Sequence, residues 1–141
     1  MKICIDSPYP VSFNRAWRVR RLRGRVVVHR SDVYKKWQKQ FGLEWLAQKP
    51  RDFKRIDGPF EVVIILSPVK KRAHDLENRI KVLLDACQVF GIIDDDIHCR
   101  RHAAWFGTPE EAPMGARIII RSLDKLGLDT YQQITQIGGT E

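Results

Sequence analysis

Two acidic clusters in a basic chain carry the side chains best suited to chemistry. Asp75 and Glu77 stand two apart in "KKRAHDLENRIK", residues 70–81, and Asp94, Asp95 and Asp96 stand together in "GIIDDDIHCRR". Both clusters are flanked by Lys and Arg. Brought together, three or four carboxylates repel one another at neutral pH and demand a cation between them. Magnesium is the natural candidate, because it takes oxygen ligands, keeps several waters and bridges phosphate oxygens; acids set in a basic surface therefore suit metal-assisted phosphodiester hydrolysis. On this reading the cations hold a nucleic-acid backbone and the acids hold the metal. Lys81 lies at i+4 from Glu77 on one helical face, placed either to pair with it or to reach charge developing on a scissile phosphate. Asn78, at i+3 from Asp75, suits fixing a carboxylate or touching phosphate. Ser12, Asn14 and Arg15 in "YPVSFNRAW" form a polar turn after Pro10 that suits backbone contacts.

Each feature also has a purely structural reading. Acids at a helix start complement the macrodipole, and Asp75 suits an N-cap. The run from Asp94 to Asp96 suits a solvated turn, and Glu77 with Lys81 an ordinary surface pair. His29, His74, His98 and His102 are too scattered for a zinc site, and no Ser or Cys stands in a triad-like arrangement.

These residues need elements to position them. Leu76, Ile80, Leu83, Leu84 and Cys87 mark the apolar face of a helix from about Asp75 to Phe90, with Gly91 as its stop, so the first acids open a helix. A helix of that length spans roughly 20 Å. Returning Asp94–Asp96 to Asp75 and Glu77 therefore requires the following strand, or a second copy of the chain. Upstream, "KICID" and "GRVVVHR" read as strands, with Gly24 as turn residue. From Arg15 to Arg30 there are seven arginines and no acid, interleaved with Trp17, Val19 and Leu22. Such density repels itself unless solvated or neutralised by an anion, so a mobile or ligand-ordered loop is expected before the second strand. Ser31 and Asp32 open a helix whose Tyr34, Trp37, Phe41 and Trp45 recur at core-facing spacing until Pro50, with Gly42 as a weak point. "PFEVVIILSP" reads as a central strand buried on both faces, and "IHCRRHAAWF" and "ARIIIRSL" as strands around the loop "GTPEEAPMG".

The bulk numbers agree with one basic domain. A chain of 141 residues is long enough for a core without cross-links, and 25 Lys and Arg against 17 Asp and Glu leave a formal charge of +8, which points to a polyanionic partner. Three cysteines without paired spacing argue for a reducing compartment, and no apolar run reaches signal-peptide or membrane-span length. A cytoplasmic protein with no membrane partner is expected.

The stretch "HDLENRIKVLLDACQVFGIIDDDIH" resembles the motif region of the RusA family of Holliday-junction resolvases. Members carry an Asp-x-Asp-Asn helix start, a Lys one turn later, and a Gly followed by a hydrophobic pair and Asp-Asp. Asp75, Glu77, Asn78 and Lys81 match the first part; Gly91, Asp95 and Asp96 match the second. "SPYPVSFNRAWR" resembles the family's Pro-x-Ser-x-Asn-Arg opening, so the likeness runs to about residue 122. It implies a single α+β domain over residues 1–122, a mixed β-sheet packed by two main helices; residues 123–141 are polar, end in "GGTE" and read as a tail, disordered or a short helix. It implies a homodimer that binds four-way junction DNA and makes paired nicks with magnesium, manganese substituting: a crossover junction endodeoxyribonuclease of DNA recombination and repair. By this resemblance Asp75, Glu77, Asp96 and Lys81 are catalytic, and Asp75, Glu77 and Asp96, with Asp95 as a further candidate, hold the metal. Resemblance and charge together assign DNA contacts to Ser12, Asn14, Arg15, Arg18, Arg20, Arg21, Arg23, Lys70, Lys71, Arg72, Asn78 and Arg79. The family usually has Asp where this chain has Glu77, whose extra methylene moves the carboxylate outward by roughly one carbon–carbon bond. The rival functions are a non-catalytic nucleic-acid-binding module and a less selective structure-dependent nuclease.

Overall fold

Strand β1 (Lys2–Pro8) alternates as its sequence suggests, with Ile3, Ile5 and Ser7 buried. The computed structural model describes residues 1–68 and 75–123. After β1 come a one-turn helix α1 (Phe13–Ala16), a hairpin of β2 (Trp17–Leu22) and β3 (Arg25–Arg30), and helix α2 (Asp32–Gln48). Strand β4 (Phe60–Leu66), helix α3 (Leu76–Val89), a 3-10 turn (Asp96–His98), β5 (Cys99–Phe106) and β6 (Gly115–Ser122) complete the described chain. Four strands form one sheet in the order β1-β6-β4-β5, with β5 parallel to β4 and the other pairs antiparallel. The fold is therefore α+β with a mixed sheet. No helix among the described residues is long and apolar enough to cross a membrane.

Both long helices pack on one face of that sheet. Ile3, Ile5, Phe60, Val62, Ile64, Leu66, Ile118 and Ile120 meet Tyr34, Trp37, Phe41 and Trp45 of α2 and Ile80, Leu83, Ala86 and Cys87 of α3. The aromatic spacing of α2 is thus core, and the predicted helix at Asp75–Phe90 is α3 to within a residue at each end. Strand β4 departs from expectation. Only one of its faces is fully covered; on the other, Glu61 and Val63 are half-exposed, because both helices lie on the opposite side. There Glu61 meets the guanidinium groups of Arg101 and Arg121 from the two neighbouring strands.

The strand expected at "GRVVVHR" and the turn at Gly24 are present, but the segment before them is a strand and not the expected loop. Together they form a regular antiparallel hairpin in which Trp17 pairs with Arg30 and Leu22 with Arg25. Arg23 and Gly24 form a two-residue turn with φ of 50° and 75°, the type I′ pattern whose twist matches paired strands. Val19 and Val26–Val28 supply β-branched content, and all but one of the hairpin residues are exposed, so the arginines on both faces remain solvated. Lys70, Lys71 and Arg72 and the tail beyond Leu123 lie outside the described residues.

Gly42 has a packing reason. A Cβ there would lie 2.5 Å from Phe90 Cε1, and Phe90, the C-cap of α3, packs on Phe41 at 5.7 Å between ring centroids. Gly42→Ala should therefore destabilise by up to about 2 kcal/mol, an overpacking cost of about 1–3 kcal/mol set against a helix-propensity gain of about 1 kcal/mol. Urea denaturation checks this; a variant more stable than the parent would contradict the packing argument.

Candidate active site

Asp75 caps α3. Its Oδ1 accepts from the backbone N–H of Glu77 at 3.1 Å and of Asn78 at 3.4 Å, satisfying two donors that a helix start leaves unpaired. Asn78 Nδ2 donates to Asp75 Oδ2 at 2.8 Å, so Asn78 holds the carboxylate in place. Three of roughly four lone-pair directions on Asp75 are thereby taken, and the group is fixed yet exposed.

The second cluster meets α3 at Lys81, and among the described residues Asp96 does not join Asp75 and Glu77 in one metal-sized group. Gly91, at φ 69°, turns the chain after the helix, and Ile93 bridges to Ile56, so the following aspartates run back beside α3. Lys81 Nζ donates to Asp96 Oδ2 at 2.7 Å and to Asp85 Oδ1 at 3.0 Å. The hydrogen bond to Asp96 raises the Lys81 pKa, and the same bond holds the Asp96 carboxyl below its usual range. Gln88 Oε1 accepts the Asp96 N–H at 3.4 Å. Asp75 stands six residues before Lys81, about 9 Å along the helix axis.

The three consecutive aspartates have different roles. Asp94 is spent on the fold: its Oδ1 lies 3.0 Å from His98 Nδ1, and its Oδ2 accepts the Gly58 N–H at 3.2 Å. The hydrogen bond with His98 is the main reason its pKa falls to about 2. Asp95 Oδ1 accepts the Ile97 N–H at 3.0 Å and caps the 3-10 turn. Asp96 alone of the three reaches Lys81.

Glu77 is exposed and does not pair with Lys81, whose i+4 partner is Asp85 instead. Sequence reasoning overlooked Asp85 and Gln88, although the Lys81–Asp85 spacing was a visible signal for the first. Among the described residues no three His, Cys, Asp or Glu side chains gather closely enough to hold a metal ion. Magnesium asks for less than a full protein cage, since it is commonly held by one or two carboxylates with water and phosphate oxygens. Asp75, Glu77 and Asp96 are hard oxygen donors of that kind.

The expected DNA contacts are distributed around this helix. Asn14 and Arg15 are exposed on α1, which packs against α3, and Ser12 is its half-buried N-cap. Arg18, Arg20, Arg21 and Arg23 are exposed on the hairpin and its turn. Arg79 works within the fold: Nη1 donates to the Pro10 carbonyl, and the guanidinium lies 5.1 Å from the centre of the Tyr9 ring. It ties α3 to the segment after β1. No protein-family model matches the chain, and no curated protein matches its sequence.

The cap and any chemical role of Asp75 are separable. Asn caps a helix about as well as Asp, so Asp75→Asn should keep stability within a few tenths of a kcal/mol, while Asp75→Ala should cost about 1 kcal/mol. Thermal and urea melts of the two variants check this. Equal losses would mean that the charge, not the cap, stabilises α3.

Proposed function

We propose that this protein is a magnesium-dependent, structure-selective endodeoxyribonuclease that resolves four-way DNA junctions by paired nicking as a homodimer. The observation that carries the reading is the Lys81–Asp96 ion pair, which joins the second acidic cluster to the helix that Asp75 caps. The resemblance to RusA resolvases rests on these same residues, and the exposed arginines of the hairpin supply the cationic surface that a DNA backbone needs.

In this reading Asp75, Glu77 and Asp96 are the candidate carboxylates, of which one or two would hold magnesium, which when bound neutralises phosphate charge and lowers the pKa of coordinated water. Lys81 keeps Asp96 ionised and fixed. Its ammonium has three donors, of which two serve Asp96 and Asp85, leaving one for a phosphate oxygen as charge develops. Asn78 keeps the Asp75 carboxylate oriented. Two copies related by a two-fold axis would present equal sites to equivalent strands.

One observation favours a binding module without catalysis: no three potential ligands gather among the described residues. A labelled mobile four-way junction, incubated with and without magnesium, separates the two. Paired nicks that require the metal are expected, and Asp96→Asn should abolish them while leaving junction binding intact or tighter, because repulsion toward phosphate falls. Metal-independent or absent cleavage by the folded parent would leave the binding module. Equal cutting of forks and linear duplex would leave the less selective nuclease.

Replacing Arg20, Arg21 and Arg23 together by Ala should lower the slope of log affinity against log salt by up to about 3. Fluorescence anisotropy across a salt series measures it. An unchanged slope would take the hairpin off the DNA surface.

A further inference from the structure

A cavity of about 480 Å³ lies beside the Lys81–Asp96 pair, with Trp17, Arg30, Tyr34, Gln38, Asp85 and Gln88 in its wall. We infer that it receives one unstacked nucleobase of the DNA strand whose phosphate meets Lys81. The inference deepens the nuclease reading and rests on it for the identity of that strand.

Trp17 is the first argument. It begins β2, is absent from the core cluster and is 38% exposed, although its ring lies 6.0 Å from that of Tyr34. Tyr34 is buried and stacked on Trp37, so the indole has a rigid aromatic backing and an accessible remainder. A rigid, half-exposed indole in a cavity wall is the platform on which bases stack, whatever their sequence.

The polar part of the wall is the second argument. Arg30 is the cross-strand partner of Trp17, and its Nη1 donates to Gln38 Oε1, which leaves further guanidinium donors and the Gln38 amide N–H groups. Asp85 offers carboxylate oxygens, and Gln88 uses Oε1 on the Asp96 N–H and retains its own amide donors. Donors and acceptors around an aromatic platform match the edge of a base, and the volume lies within the range of small-ligand sites.

Continuity is the third. Asp85 accepts from Lys81 and Gln88 accepts from Asp96, so two wall residues belong to the candidate active site itself. A base in the cavity is one side chain away from the group placed to meet phosphate. A paired, stacked base offers neither face, so the occupant is taken out of the stack, at a cost of about a few kcal/mol that the stack on Trp17 offsets.

The test reads binding by the full-length protein, without magnesium, to four-way junctions carrying one abasic nucleotide at successive positions around the branch. One position should weaken binding about tenfold, in the range for a lost base–aromatic stack. Trp17→Ala should weaken intact junction by a similar factor and lose nothing further on that abasic junction, whereas Trp17→Phe should retain most of the affinity. In parent protein, 2-aminopurine at the same position should change its fluorescence on binding while the neighbouring positions do not, a readout that survives if Trp17→Ala does not fold. Losses that multiply independently, an abasic scan with no sensitive position, or no position-specific fluorescence change would overturn the inference. Competition by free deoxynucleoside monophosphates at the same affinity as DNA would overturn it too. Because cleavage is never read, a protein that fails to nick yet shows the coupling would defeat the nuclease reading alone.

Discussion

Burial of one apolar stripe of α3 against the sheet is the constraint on which the candidate chemistry depends. Ile80, Val82, Leu83, Ala86 and Cys87 are buried, and each large side chain contributes about 1.5–3 kcal/mol when removed from water. The half-exposed ion pairs of Lys81 are worth under about 1 kcal/mol each. Hydrophobic contact therefore places the helix, and the ion pairs only set the aim of groups already there. Phe90 over Gly42 locks one end of α3 to α2, and Arg79 on the Pro10 carbonyl locks the other to the segment after β1. Lys81 lies exposed between those anchors, and Asp75 lies exposed at the N-cap just before them.

The cationic surface is built in the opposite way. A two-stranded hairpin alone is marginal in water, and this one exposes nearly every residue. It is closed at its base by the Ser31 N–H on the Ala16 carbonyl at 2.8 Å, and by the Arg30–Gln38 hydrogen bond. Like charge is thus concentrated on an element with little packing of its own, where an anion would relieve repulsion without disturbing the core. The base of the same hairpin supplies Trp17 and Arg30 to the cavity beside Asp85, so the least buried element and the best buried helix share one wall.

Three adjacent aspartates show how backbone geometry, rather than residue type, assigns a role. Asp94 faces the loop at Gly58 and pairs with His98, Asp95 caps a 3-10 turn, and Asp96 turns to α3. Chemically identical side chains thus divide between holding the turn and approaching Lys81.

Much of this was legible in the chain itself. Periodicity of 3.6 marked α2 and α3 and their buried faces, alternation and β-branching marked the strands, and Asp75 stood where an N-cap belongs, because these are local preferences that neighbouring residues express by themselves. The second strand of the arginine-rich hairpin and its Gly24 turn were legible from the valines, but the first strand, Trp17–Leu22, was missed because its charge density was weighed above its pairing with them. That β4 is fully covered on one face and only in part, at Ile65, on the other, that Glu77 leaves Lys81 to Asp85, and that Asp96 closes on Lys81 from fifteen residues away were decisions of the tertiary fold. Each depends on which side of the sheet the helices choose and on where the chain turns after Gly91, and such long-range packing leaves no periodic mark in a linear sequence.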